Sequence, residues 1–317
     1  MIKRSPPEVH TLQLDSVRAR NKRYSLQRAA PAACILAMAV GAFLLGAHLH
    51  KLHHTGRLQK IDAASLLVLP SAAGSNILFA TPDGRRIILV SDLTPDALAP
   101  LLHYLNKQHI FVVNGIVLTN VTNDTMNGLA ELARRVKVDG PVISPYDNTI
   151  SNRWWGRNQR ALVEGAKEEG LRLQAWKDGG SAFKYIIPQA DITLYAPLRS
   201  KWEIPVIGVK VSYLSSSLLD ISSLNPKEAA SITGMPDVGS SRILVIGDQD
   251  TYVTREILAE VQPDIVLLAG PSNVPPGDNA EINIQAADAT AITLSQTPPL
   301  KITLPASDNQ PLKSVNL

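Results

Sequence analysis

Nineteen consecutive residues without a charged side chain, Ala29–Ala47, divide this chain before any domain is considered. At about 1.5 Å of rise per residue, a helix over this stretch reaches the thickness of a bilayer core. Lys3, Arg4, Arg18, Arg20, Lys22, Arg23 and Arg28 precede it, against Lys51, Arg57 and Lys60 after it, and that excess of positive charge holds the N-terminus in the cytoplasm. The expectation is a single-pass signal anchor in a bacterial-type plasma membrane, with the rest of the chain outside the cytoplasm. A cleaved signal peptide is the competing reading. Against it, the basic segment is long, and the small-residue triplet Ala37-Met38-Ala39 lies inside the apolar run rather than after it. Ala33, Ala37 and Gly41 repeat every fourth residue, which lets two such helices approach closely in a homodimer. An alanine-rich span also produces such a stripe by chance.

The flank carries most of the charge imbalance. Of 31 Lys/Arg and 28 Asp/Glu, residues 1–28 hold seven and two, leaving 24 against 26 for the remainder. A body this close to neutral is no electrostatic platform for nucleic acid, although a local basic stripe stays open. The single cysteine, Cys34, lies within the apolar run, which excludes an intramolecular disulfide and a cysteine metal cage. Just past the span stand His48, His50, His53 and His54; His50 and His54 share a helical face at a spacing that suits a divalent metal, while an interfacial polar collar explains them equally simply.

Beyond a connector at 48–61 the pattern becomes that of a folded domain. Ser65–Leu69 reads as a strand, and Asn76–Ala80 pairs with Arg86–Val90 across the turn signal Asp83-Gly84. Thr94-Pro95-Asp96 opens a helix that carries Leu98, Leu101, Leu102 and Leu105 on one face to Lys107. A strand at Gly115–Leu118, a helix at Met126–Val136, a strand at Pro141–Ser144 and a helix at Arg157–Glu169 follow. Later strands are expected at Leu171–Ala175, Ile192–Ala196, Val206–Tyr213, Ile243–Ile246, Ile265–Leu268, Ile282–Ile284, Ile292–Leu294 and Ile302–Leu304, with a helix at Thr254–Val261. The expected organisation is a cytoplasmic segment at 1–28, the span at 29–47, the connector, one α/β domain at 62–304 and a loose tail at 305–317.

Several segments, in order, resemble the metallo-β-lactamase fold, and most of all the soluble hydrolase-type domain of competence-associated DNA-uptake proteins. LVLPSAAGSNILFATPDG at Leu67–Gly84 and IILVSD at Ile87–Asp92 resemble the opening strands of that family. LLHYLNKQHIFVVNGIVLTN at Leu101–Asn120 resembles the helix and strand that deliver its metal motif. RILVIGDQD at Arg242–Asp250 resembles its late strand ending in Gly-Asp, and PDIVLLAG at Pro263–Gly270 follows. The resemblance implies an αββα sandwich behind the transmembrane helix. In active relatives the strand ending at Thr119 is followed by His-x-His-x-Asp-His, because two metal ions need imidazoles and a carboxylate converging from one loop. Here the vestigial positions are Asn120, Thr122, Asp124 and Thr125, with Asp248 and Gly270 farther on.

The same conclusion follows without the resemblance, since no histidine occurs after residue 109 and no cysteine anywhere in the body. The stretch after residue 109 thus offers zinc no imidazole or thiolate; two carboxylates suit at most Mg²⁺ or Ca²⁺. Asp124 and Asp248 therefore read either as loop caps or as a weak cation pair. There is no phosphate loop, no dinucleotide glycine motif and no nucleophile elbow, and His103 and His109 are the only imidazoles in the body that could serve as a base. Arg153, Trp154, Trp155, Arg157 and Arg160 combine cations with large aromatics. They read either as a patch for lipid headgroups, nucleic acid or a partner protein, or as one packed tryptophan among solvated arginines. The functional expectation is a membrane-tethered pseudoenzyme that holds no cofactor and acts as a binding or assembly module toward an envelope partner. The alternative is an ester or phosphodiester hydrolase using one carboxylate-bound cation.

Overall fold

The computed structural model describes residues 63–71, 74–144, 163–175, 183–197, 207–233, 235, 238–247, 255–269, 283–294, 299–305 and 311–316. All of them fall in one compact unit, 56–317. Among the described residues no helix is long and apolar enough to cross a membrane; the expected anchor at 29–47, with Ala33, Ala37 and Gly41, lies outside them.

The chain opens on an antiparallel meander, β1 (Ser65–Ser71), β2 (Gly74–Ala80) and β3 (Arg86–Val90). The Asp83-Gly84 signal is borne out: Gly84 N donates to Thr81 O, and Thr81 and Arg85 both bond the Asp83 carboxylate. A positive φ of 86° falls on the glycine, where it carries no steric cost. Helix α1 (Pro95–Lys107) then crosses to β5 (Gly115–Leu118), and α2 (Asn123–Arg135) crosses to β7 (Pro141–Ser144). Residues 163–168 are helical and lead to β8 (Arg172–Ala175). The short strands β4 (Val112–Val113) and β6 (Lys137–Val138) pair with each other.

The second half supplies β9 (Phe183–Ile187), β10 (Ala190–Tyr195), β11 (Gly208–Tyr213), β12 (Ser216–Asp220), β13 (Ile243–Ile246), β14 (Ile265–Ala269) and β15 (Thr290–Leu294). Helices α3 (Pro226–Thr233) and α4 (Arg255–Val261) make the crossovers between its parallel strands. Strands β16 (Leu300–Thr303) and β17 (Lys313–Asn316) return to the first sheet. One sheet runs β17-β16-β1-β2-β3-β5-β7-β8 and the other β15-β14-β13-β12-β11-β10-β9, both mixed parallel and antiparallel.

The alternation of side chains along each strand explains the layers. Leu66, Val68, Ile77, Phe79, Ile87 and Leu89 of the first sheet meet Ile192, Leu194, Val209, Val211, Ile243 and Val245 of the second in one buried cluster. Their neighbours Leu67, Leu78, Ile88 and Val90 face the other way and pack with Leu98, Leu101, Leu129 and Leu132 of α1 and α2. On the far side Leu219, Leu244, Ile246 and Val266 pack with Ala229, Ile232, Ile257 and Leu258 of α3 and α4. Strands buried on both faces have no polar side to alternate with. The result is the expected αββα sandwich.

Three expectations are corrected. The strand expected at Ile282–Ile284 is not formed: residues 283–286 are helical, and Ile284 packs against the α4 side of the second sheet. The Ile-Asn-Ile alternation there is too short to fix its period. Residues 305–317 are not simply a loose tail, because β17 pairs antiparallel with β16 from Lys313↔Thr303 to Asn316↔Leu300. Helix α2 begins three residues earlier than its apolar periodicity indicates, which turns the expected loop into a helix start.

Candidate functional site

Parallel strands bring their C-terminal ends to one side of a sheet, and ligands of α/β proteins collect there. In the first sheet β3 and β5 run parallel and end at Val90 and Leu118; in the second, β12 and β13 run parallel and end at Asp220 and Ile246. The segments that leave these strands carry small polar residues that bond to one another. Thr119 Oγ1 donates to Val90 O at 3.1 Å and shares a 2.8 Å hydrogen bond with Ser223 Oγ. Ser75 Oγ lies 3.4 Å from Ser222 Oγ, and Ser91 Oγ donates to Ser75 O at 2.6 Å. Ile207 N donates to Thr119 O at 2.9 Å. The two sheets are thus joined at this rim by hydroxyl and backbone hydrogen bonds.

Beside these hydroxyls, Asn76 closes the turn after β3: its Oδ1 accepts from Ser91 N and Asp92 N, and its Nδ2 donates to Asp92 O at 2.7 Å. The Asp92 carboxylate accepts in turn from the backbone and hydroxyl of Thr94. Backbone approaches backbone closely here. A Cβ on Gly247 would lie 2.1 Å from Ser222 O, and one on Gly74 would lie 2.8 Å from Ser222 Oγ. Glycine at both positions lets the ends of β12, β13 and β2 meet.

Two carboxylates at the rim are buried, Asp92 at 4% and Asp220 at 1% exposed, and it is Asp220 that is left partly unanswered. Its Oδ1 accepts from Ser222 N at 2.9 Å, while Oδ2 has no hydrogen-bond partner among the described residues. Burial pushes its carboxyl up to about 6 against the opposing pull of the Ser222 hydrogen bonds. Sequence reading missed this residue. The available signal was an aspartate closing the apolar run Leu218-Leu219 between Ser216-Ser217 and Ile221, a place where an unpaired charge is costly.

The loop at 120–125 is built for capping. Thr122 is the N-cap of α2: its Oγ1 accepts from Thr125 N at 3.1 Å and lies 2.9 Å from Thr125 Oγ1. Thr125 and Met126 are buried, while Asn123 and Asp124 are exposed in the first turn. There the Asp124 carboxylate faces the positive end of the helix dipole. Asn120 is half-buried, and its Oδ1 has no partner among the described residues. Asp248 and Gly270 lie outside the described residues, as does the patch Arg153, Trp154, Trp155, Arg157 and Arg160. Among the described residues no group of three or more His, Cys, Asp and Glu stands together. A zinc pair does not fit the donors among the described residues of the rim, which are hydroxyls, an amide and the carboxylates of Asp92 and Asp220, the former already taken by Thr94; zinc takes imidazole, thiolate or several converging carboxylates.

No protein-family profile matches the chain, and no curated protein matches it in sequence. Its similarity is to solved structures. A diphosphatase of the PhnP family is 14% identical over 74% of this chain and 96% of that one, at a TM-score of 0.45. A long-form RNase Z from yeast is 9% identical, covering 80% of this chain and 50% of that one, at 0.46. The Rm3 metallo-β-lactamase is 13% identical over 73% and 87%, at 0.36. The chain itself shows an αββα sandwich of two mixed sheets, the architecture that the sequence resemblance to metallo-β-lactamase proteins implies.

Proposed function

We propose that this chain is a non-catalytic, membrane-tethered domain of metallo-β-lactamase type that serves as a binding or assembly module at the outer face of a bacterial-type plasma membrane. The observation that carries this reading is the fate of the loop after β5. Where a hydrolase of this fold places its histidines, Thr122 caps a helix and Thr119 bonds Ser223 across the rim. These groups satisfy one another and the backbone, so the residues that would hold metal hold the fold instead. The basic segment before Ala29–Ala47 supports the tether and its orientation, and the order of the motifs supports kinship with the soluble domain of competence-associated proteins. The partner in this reading is an envelope protein, and Ala33, Ala37 and Gly41 offer a contact for pairing two copies in the membrane.

One observation favours a second reading. The unpartnered Oδ2 of Asp220 is a carboxylate oxygen that one hard cation would satisfy, and it makes Asp220, rather than Asp124, the residue on which an ester or phosphodiester hydrolase would depend. Calorimetric titration of the full chain in lipid nanodiscs with Zn²⁺, Mn²⁺ and Mg²⁺ separates the two. The non-catalytic reading expects no stoichiometric binding. Tight one-to-one binding lost on Asp220→Asn would overturn it.

A further inference from the structure

Both histidines of the body stand at one place unrelated to the rim. Helix α1 ends at Lys107, and the chain turns back through His109 at φ 53°, a left-handed position that glycine usually takes after a helix. His109 N donates to Asn106 O and Ile110 N to Leu105 O, and the His109 ring sits against Phe111 with centroids 6.3 Å apart. This turn folds Ile110 and Phe111 beneath the end of α1 and toward the end of α2, where Lys137 N donates to Phe111 O. A groove of about 300 Å³ results, lined by Leu102, His103, Leu105, Asn106, Ile110, Phe111, Arg135 and Val136.

Its floor is apolar: Leu105, Ile110 and Val136 are 1%, 6% and 3% exposed. Its polar lining is a guanidinium, an imidazole and an amide, from Arg135, His103 and Asn106. Arg135 gives Nε to Glu131 at 3.1 Å, and with its side chain 67% exposed its terminal nitrogens have no partner among the described residues. A guanidinium presents paired donors that match a carboxylate. Because Glu131 already answers part of that charge, the rim suits a monoanion better than a dianion. An apolar floor under a few fixed donors is the usual make-up of a small-molecule pocket, and this volume lies at the lower end of that range.

We propose that the groove between the C-terminal ends of α1 and α2 binds a small amphipathic monocarboxylate, its apolar body on Leu105, Ile110 and Phe111 and its carboxylate on Arg135 and His103. The site is separate from the rim and does not depend on whether the rim is catalytic. Full-length protein in lipid nanodiscs, titrated calorimetrically with phenylacetate, tests this against empty nanodiscs. Saturable one-to-one binding is expected, with neutral phenylacetamide about tenfold weaker or worse. Arg135→Gln weakens phenylacetate about tenfold without moving the melting temperature, since the side chain is exposed, and Glu131→Gln strengthens it. No saturable binding, equal affinity for acid and amide, or an Arg135→Gln variant that binds as the wild type would each overturn the proposal.

Discussion

Thr119 and Ser223 lie 104 residues apart, yet their hydroxyls meet at 2.8 Å and join the end of β5 to the segment that follows β12. This bond ties one sheet to the other at the rim. Thr119→Val and Ser223→Ala should each cost about 1 kcal/mol of unfolding free energy. Chemical denaturation of the single and double variants should give a coupling of about 0.5 kcal/mol or more. Strict additivity would mean that the two hydroxyls contribute separately.

Asp220 makes a pH-dependent contribution to the stability of the folded body. Its carboxyl is raised from 3.8 to about 6 by burial, so the folded state holds a proton that the unfolded chain has released. The stabilisation is complete below pH 3.8 and is lost as pH rises to about 6, a fall of about 3 kcal/mol from this group alone. Asp220→Asn should abolish that fall and should be more stable than the wild type at pH 7. Denaturant midpoints measured between pH 4 and 7 check both statements, and a variant with an unchanged slope would contradict them.

Thr122 is a structural residue, the N-cap of α2. Thr122→Ala removes the acceptor for Thr125 N and should cost about 1 kcal/mol, read as a lowered melting temperature. Thr122→Ser, which keeps the oxygen, should recover most of it. Asp124→Asn, altering only an exposed charge near the helix dipole, should cost about 0.5 kcal/mol and lessen with salt.

The sequence revealed most of the layers because their signals are local. Asp83-Gly84 names its own turn, Thr94-Pro95 its own helix start, and Gly115–Leu118 and Ile243–Ile246 are apolar runs bounded by glycine or polar residues. What stayed hidden depends on tertiary pairing. Strand β12 begins with two serines, and only its pairing with β11 and β13 makes it a strand. The same pairing carries Asp220 to the rim, so this buried carboxylate was missed while exposed Asp124 was singled out. Strand β17 has a polar sequence and an exposed Val315, and exists as an edge against β16. Helix α3 was the avoidable miss, for Asn225 and Glu228 form a reciprocal capping box at 2.9 and 3.0 Å that the sequence Asn-Pro-Lys-Glu announces.

Whether the rim is catalytic is decided most directly by hydrolysis of bis(p-nitrophenyl) phosphate by the full chain in nanodiscs, with Zn²⁺, Mn²⁺ or Mg²⁺ supplied in turn. A non-catalytic domain predicts release of p-nitrophenol at the rate of protein-free controls with every metal. Turnover above that background that disappears on Asp220→Asn would contradict the account.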